Sequence, residues 1–174
     1  RKITYAALTR PLHNEVRVSQ FSAYVAQRLV YHHGEQSLTA AIVNLAQEFP
    51  GTNNIPLLSG IGQFGTRHAG GKDHASARYI YTKIGPLTQH LFPIGDNDVL
   101  PSQEEEGTHI EPVHMLPILP MMLINGSSGI GTGFSTDIPP HNPLHVFQAV
   151  VQWLHGKPMR LIAPLSLGMS SQLI

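Results

Sequence analysis

The 174-residue chain contains no cysteine, which removes disulfide frameworks, thiolate metal sites and thiol redox chemistry at one stroke and suits a reducing compartment. Long apolar runs are also missing. No window approaches the roughly 18 uninterrupted apolar residues of a membrane span. The basic opening RKITYAAL continues into a helix-like pattern with no small-residue cleavage site, so a soluble, non-secreted protein with no membrane partner is expected. An initiator methionine is absent and the chain opens inside a helix pattern, from which a piece of something longer is expected. Charge of one sign is absent over a long stretch. Residues 84 to 156 hold no Lys or Arg but seven acids, whereas residues 1 to 90 hold nine Lys/Arg against four acids. The formal net charge is zero, so only the first half has the electrostatic character to face a polyanion.

What is present is an ordinary apolar content of 41%, enough for one good core or two small lobes. Val18, Phe21, Val25 and Leu29 recur at helical spacing beside a polar stripe of Arg17, Gln20, Tyr24 and Arg28, which predicts an amphipathic helix over 16–31. After the break YHHGE, Leu38, Ile42, Leu45 and Phe49 predict a second helix, ended by the run FPGTNN. Two helices joined by a short Gly-containing turn form a helix-turn-helix pattern. Residues 51–76 are loop-rich, and ARYIYTKI (77–84) reads as a strand, so a β wing follows the helix pair. Residues 92–111 read as an acidic, turn-rich connector with EEE as a solvated run. PVHMLPILPMMLI is broken by prolines into extended segments, and NGSSGIGTG reads as a flexible glycine loop. A last helix is spelled by Asn142 as N-cap and Pro143 at its first position, with Leu144, Phe147, Val151 and Leu154 inward and Gly156 past its end. There is no internal repeat.

Two glycine loops invite a phosphate-cradle reading, and both fail it. GTRHAGGKD puts five residues between Gly65 and Gly71 where the Walker loop has four, and Asp73 stands where a metal-binding Ser or Thr belongs. GSSGIGTGF lacks the third glycine of the dinucleotide fingerprint and opens no helix. Among eleven histidines there is no HExxH, and the adjacent His32 and His33 point in different directions. Tyr79 is the open question. A phenol of pKa about 10 is about one part in a thousand ionised at neutral pH, a penalty of roughly 4 kcal/mol. A positioned base, His33 or water, and an Arg beside an attacked phosphate offset that penalty. Arg67, Lys72 and Arg78 lie within twelve residues of Tyr79. In a regular strand, however, Arg78 and Tyr79 face opposite ways and reach one phosphate only at a turn or strand edge. From these residues alone a packing tyrosine is the favoured reading and the nucleophile its rival.

Five stretches, in order, carry a family resemblance: YHHGEQSL (31–38), NLAQEFPGTNNIPLL (44–58), IGQFGTRHAGGKDHASARYI (61–80), LFP (91–93) and LPILPMMLINGSSGIGTGF (116–134). With them the chain closely resembles the DNA breakage-reunion region of the eukaryotic-type type IIA DNA topoisomerases, over most of residues 1–156. The resemblance implies an α+β fold, with a winged-helix DNA-cleavage domain over 1–100 and the start of a tower-like α/β domain over 108–174. It implies that Tyr79 forms a transient 5′-phosphotyrosyl link to double-stranded DNA so that another duplex passes, with Arg78 stabilising the transition state and His33 assisting. DNA contacts are implied for Arg1, Lys2, Arg17, Ser37, Gln63, Arg67 and Lys72, and Ile130 matches a wedge that enters between base pairs. Implied with them are Mg²⁺ and ATP, both held outside this segment, and a homodimer. The implied setting is the nucleus, or a viral factory or cytoplasm for a large DNA virus. Departures are Ala77 before the Arg-Tyr pair, the connector VLPSQEEEGTHIEPVHM, and the tail RLIAPLSLGMSSQLI, to which no functional residue is carried. The rival readings are a non-catalytic winged-helix DNA-binding module and a protein-interaction scaffold.

Overall fold

The structure is a computed structural model that describes residues 1–10, 12–159 and 161–165. Arg160 and residues 166–174, most of the divergent tail, lie outside the described residues. The chain is α+β, as expected, and forms two compact units: residues 1–47 with 56–118, and residues 48–55 with 119–174. Among the described residues no helix is long and apolar enough to cross a membrane.

In the first unit, helix α1 (Lys2–Thr9) precedes a two-residue strand β1 (Val16–Arg17), helix α2 (Val18–Arg28) and helix α3 (Glu35–Ala46). The α2 stripe is as expected, with Val18, Phe21, Val25 and the flanking Leu29 buried. Each such side chain contributes about 1.5–3 kcal/mol when taken fully from water. Helix α3 starts after Gly34 with Glu35 in its first turn, where an acid suits the helix dipole. It stops at Ala46, short of Phe49, and its buried face is Leu38, Ile42, Val43 and Ala46 in place of the expected Leu45 and Phe49. The early stop has a cause: Gln47 leaves the helix to hydrogen-bond the loop described below.

Strands β2 (Leu58–Ile61) and β3 (Tyr81–Ile84) complete an antiparallel sheet of order β1-β3-β2. The strand is shorter than the expected 77–84, because residues 77–79 form a turn before it. Helix α4 (Thr88–Leu91) and a 3₁₀ turn (Ile94–Asp98) lead to a second hairpin, β4 (Ser102–Glu105) and β5 (Thr108–Pro112). The acidic connector is therefore ordered β structure. Its Ile110 belongs to the core that holds Ile3, Phe21 and Ile80, and the first compact unit runs to Ile118.

The second unit holds α5 (Met121–Ile124), the hairpin β6 (Ser127–Gly131) and β7 (Phe134–Ile138), and α6 (Pro143–Leu154). Asn54 organises it, its amide nitrogen lying 2.9 Å from each of the carbonyl oxygens of Ile124, His141 and Leu165. The glycine loop is a regular ladder, Ser127↔Ile138 through Gly131↔Phe134, with glycine at the turn position Gly133 (φ 81°). Helix α6 begins as expected, the Asn142 side chain accepting from the Leu144 amide at 2.9 Å. Its buried face differs: Val146 and Ala149 are inside, whereas Leu144, Phe147 and Leu154 are exposed. The apolar stripe of α6 is wider than the described residues cover.

Candidate nucleic-acid interface and nucleophile

The segment 76–80 is a turn locked on three sides. The Tyr79 amide donates to the Ser76 carbonyl at 2.9 Å, closing the turn. The first two amides of α2 reach the same turn, Ser19 donating to the Ala77 carbonyl at 3.1 Å and Val18 to the Ile80 carbonyl at 3.0 Å. A helix N-terminus has amides with no intrahelical partner, and here they grip the carbonyls on either side of Arg78 and Tyr79. Ile80 is buried in the core and pins the following backbone. The result is a rigid pedestal with an exposed head: Tyr79 is 70% exposed. Arg78 is exposed too, with its guanidinium carbon 5.6 Å from the Tyr79 ring centroid. A turn, which a regular strand cannot provide, sets these consecutive side chains side by side.

Loop 62–75 is equally constrained. Thr66 donates to Asp73 through both its amide and its hydroxyl, each at 2.8 Å. Those two bonds, backbone first, hold the Asp73 carboxyl below its ordinary pKa. Beneath the loop the buried Gln47 amide donates to the carbonyls of Phe64 (2.8 Å) and Gly71 (3.2 Å). A Cβ at Gly71 would lie 2.3 Å from the Gln47 amide nitrogen, and one at Gly65 would lie 2.6 Å from Gly71 Cα. Both glycines also have positive φ, so the spacing that fails as a Walker loop is dictated by close packing. The loop leaves Arg67 and Lys72 exposed, and neither side chain has an ion pair or hydrogen bond among the described residues. Gln63 is exposed and accepts from the Gly65 amide at 3.2 Å.

The other expected site residues divide into free and engaged. Arg17 is exposed and donates from Nε to the Tyr81 hydroxyl at 3.1 Å, a bond that raises its pKa further. Ser37 donates to the Gly34 carbonyl at 2.7 Å and contacts the Tyr31 hydroxyl at 2.9 Å. His33 is exposed and packs edge-on against Tyr31, 5.5 Å between centroids, with no hydrogen bond to Tyr79. In the second unit Ile130 is 94% exposed near the tip of the β6–β7 hairpin. Arg1 and Lys2 are engaged internally. Glu111, 0% exposed, receives Arg1 at 3.1 Å and Lys2 at 3.0 Å. Lys2 also donates to the Leu29 carbonyl, and Arg1 to the Val113 carbonyl at 2.7 Å. The first use of these two cations is to neutralise a buried carboxylate.

Three residues of this arrangement carry little functional signal in the sequence. Glu111 reads there as part of an acidic connector, and its one signal is the apolar neighbour Ile110 in a strand-like alternation. Gln47 and Tyr81 give no signal beyond their position beside the glycine loop and the Arg-Tyr pair. No group of three or more His, Cys, Asp or Glu among the described residues could hold a metal ion.

Against known proteins, the family model for the A subunit of DNA gyrase/topoisomerase IV matches residues 1–167. The chain is 51% identical over 164 residues to the Caenorhabditis elegans protein DNA topoisomerase 2 top-2, covering 94% of this chain and 11% of that protein. It is 49% identical over 159 residues to DNA topoisomerase 2 of Arabidopsis thaliana, covering 91% of this chain and 11% of the relative. The chain thus spans about a tenth of the length of the curated relatives it matches. Its fold is similar to the crystal structure of the Plasmodium falciparum topoisomerase II DNA-binding, cleavage and re-ligation domain. There the TM-score is 0.94 at 40% identity, over 97% of this chain and 23% of that one.

Proposed function

The chain belongs to the family of DNA gyrase/topoisomerase IV A subunits, and from that premise we propose that it is the DNA breakage-reunion segment of an ATP-dependent type II DNA topoisomerase. The observation that carries the proposal is the presentation of Tyr79: an exposed phenol on a backbone pinned by α2, with a guanidinium 5.6 Å from its ring. The α2–α3 pair with its three-stranded sheet is read as a winged helix, and the second unit as the start of the tower. The Tyr79 hydroxyl attacks a backbone phosphorus, giving up its proton to water or His33. The P–O3′ bond breaks, the 3′-oxygen leaves with a proton, and a 5′-phosphotyrosyl ester remains. One ester replaces another, so resealing is the same step reversed. Arg78, always charged, binds the non-bridging oxygens as charge develops on them.

Arg17, Gln63, Arg67 and Lys72 hold the DNA backbone, Ser37 fixes the turn that carries His33, and Ile130 wedges between base pairs. Arg1 and Lys2 are given a secondary part in DNA contact, since Glu111 already binds them. The described residues do not form the oxygen-ligand cluster that Mg²⁺ takes. The Mg²⁺ and ATP sites, the contacts of a homodimer and the nuclear address belong, on this reading, to the longer protein. The test is Tyr79→Phe in the full-length protein. Covalent attachment to DNA should disappear while DNA affinity stays within about twofold, since only one hydroxyl is removed. Attachment that survives the substitution contradicts the assignment, and a wild-type protein that binds DNA without ever attaching to it supports the binding-module reading.

A further inference from the structure

Tyr81 has no part in the chemistry just described, yet the placement of Arg17 depends on it. Arg17 occupies the N-cap of α2 with no side-chain capping bond and no acid in the first turn. That position favours Ser, Thr, Asp or Asn, and a cation there opposes the positive end of the helix dipole. The first-turn amides offer no relief, because the carbonyls of Ile80 and Ala77 already occupy them. Among the described residues no carboxylate pairs with Arg17. What holds it is Tyr81. The two residues are cross-strand partners of β1 and β3, so their side chains share one face of the sheet. Nε donates to the Tyr81 hydroxyl at 3.1 Å, and the guanidinium carbon lies 5.8 Å from the ring centroid. Within β3, alternation buries the neighbouring Thr82 and turns Tyr81 away from the core.

We propose that Tyr81 is a positioning residue for DNA: it holds Nε and the orientation of the Arg17 guanidinium, leaving the two terminal nitrogens free to fork one backbone phosphate at the end of α2 that grips the Tyr79 turn. This rests on the reading of DNA as the ligand. A guanidinium held in advance loses less side-chain freedom on binding, and a two-pronged contact fixes the phosphate in direction as well as distance. An arginine so placed registers the strand without reading its sequence.

A double-substitution cycle in the full-length protein tests it, with duplex affinity measured across a range of salt concentrations. Tyr81→Phe keeps the ring and the strand but removes the hydroxyl. It should weaken binding about 3- to 10-fold with Arg17 present, and by less than about twofold in an Arg17→Ala background. Arg17→Ala should lower the magnitude of the salt slope by about 0.9. Arg17→Lys should keep that slope and lose the sensitivity to Tyr81→Phe. Equal weakening by Tyr81→Phe in both Arg17 backgrounds would mean that Tyr81 only packs the strand and would overturn the proposal, as would no weakening in either. The outcome is separable from the function itself. If the wild type attaches to DNA but the cycle shows no coupling, the role of Tyr81 falls alone; if the wild type binds no DNA, both fall.

Discussion

Glu111 illustrates how one side chain redistributes the duties of its neighbours. A carboxylate with no solvent exposure is stable only when paired and hydrogen-bonded, and Arg1 and Lys2 supply both conditions. Removing one partner of such a buried set typically costs about 3–5 kcal/mol. Glu111→Ala leaves no buried charge behind, because Arg1 and Lys2 keep 40% and 23% of their side chains exposed to water, so it should lower the folded stability by a smaller amount, about 1–3 kcal/mol, read as a shift in the denaturant midpoint at unchanged m-value. The converse marks the two cations as structural: Lys2→Met should disturb the denaturation midpoint more than it disturbs DNA affinity. A midpoint unchanged by Glu111→Ala would show that the ion set contributes no stability.

At the scale of elements, the amphipathic helices are legible because their apolar spacing alone decides which face is buried. Phe21 and Val25 are core residues by that spacing and core residues in the fold. The loop between β2 and the Tyr79 turn is legible only as a glycine-rich gap. Its order comes from contacts distant in sequence, chiefly Gln47 beneath Gly71 and Asp73 across from Thr66, and no local pattern announces such pairings. The β6–β7 hairpin is hidden by the same glycines that permit its tight turn, and the acidic β4–β5 hairpin by charges whose alternation is masked by the EEE run. The nucleophile turn lies between these cases. Alternation argues against Arg78 and Tyr79 acting together, and the amides of α2 that reshape the backbone there belong to another element. Gly71→Ala tests the loop directly. Its Cβ collides with Gln47 at a positive φ, so strand cleavage by the full-length protein should fall at least tenfold while far-UV helix content is retained. Full activity in that variant would mean that the loop's tight packing has no bearing on the site.

Across the whole molecule the net charge of zero conceals a division of labour. Of the cations in the basic half, Arg1 and Lys2 are committed to Glu111, and Arg10 lies 4.6 Å over the Tyr24 ring. Arg17, Arg67, Lys72 and Arg78 remain exposed with no acid paired to them among the described residues. Each phosphate neutralised adds about 0.9 to the slope of log affinity against log salt. Replacing Arg67 and Lys72 together by Ala should therefore flatten the slope by about 2, whereas replacing Arg1 and Lys2 should change it by less than about 1. Equal changes for the two pairs would mean that the buried carboxylate does not withhold its cations from DNA.

The central claim is chemical, and mass spectrometry of the trapped protein–DNA adduct tests it most directly. After nuclease and protease digestion, the account predicts that the peptide spanning ASARYIYTK carries a nucleotide through its 5′-phosphate on Tyr79, with Tyr81 unmodified. A nucleotide found on Tyr81, or on any residue outside this turn, would contradict it.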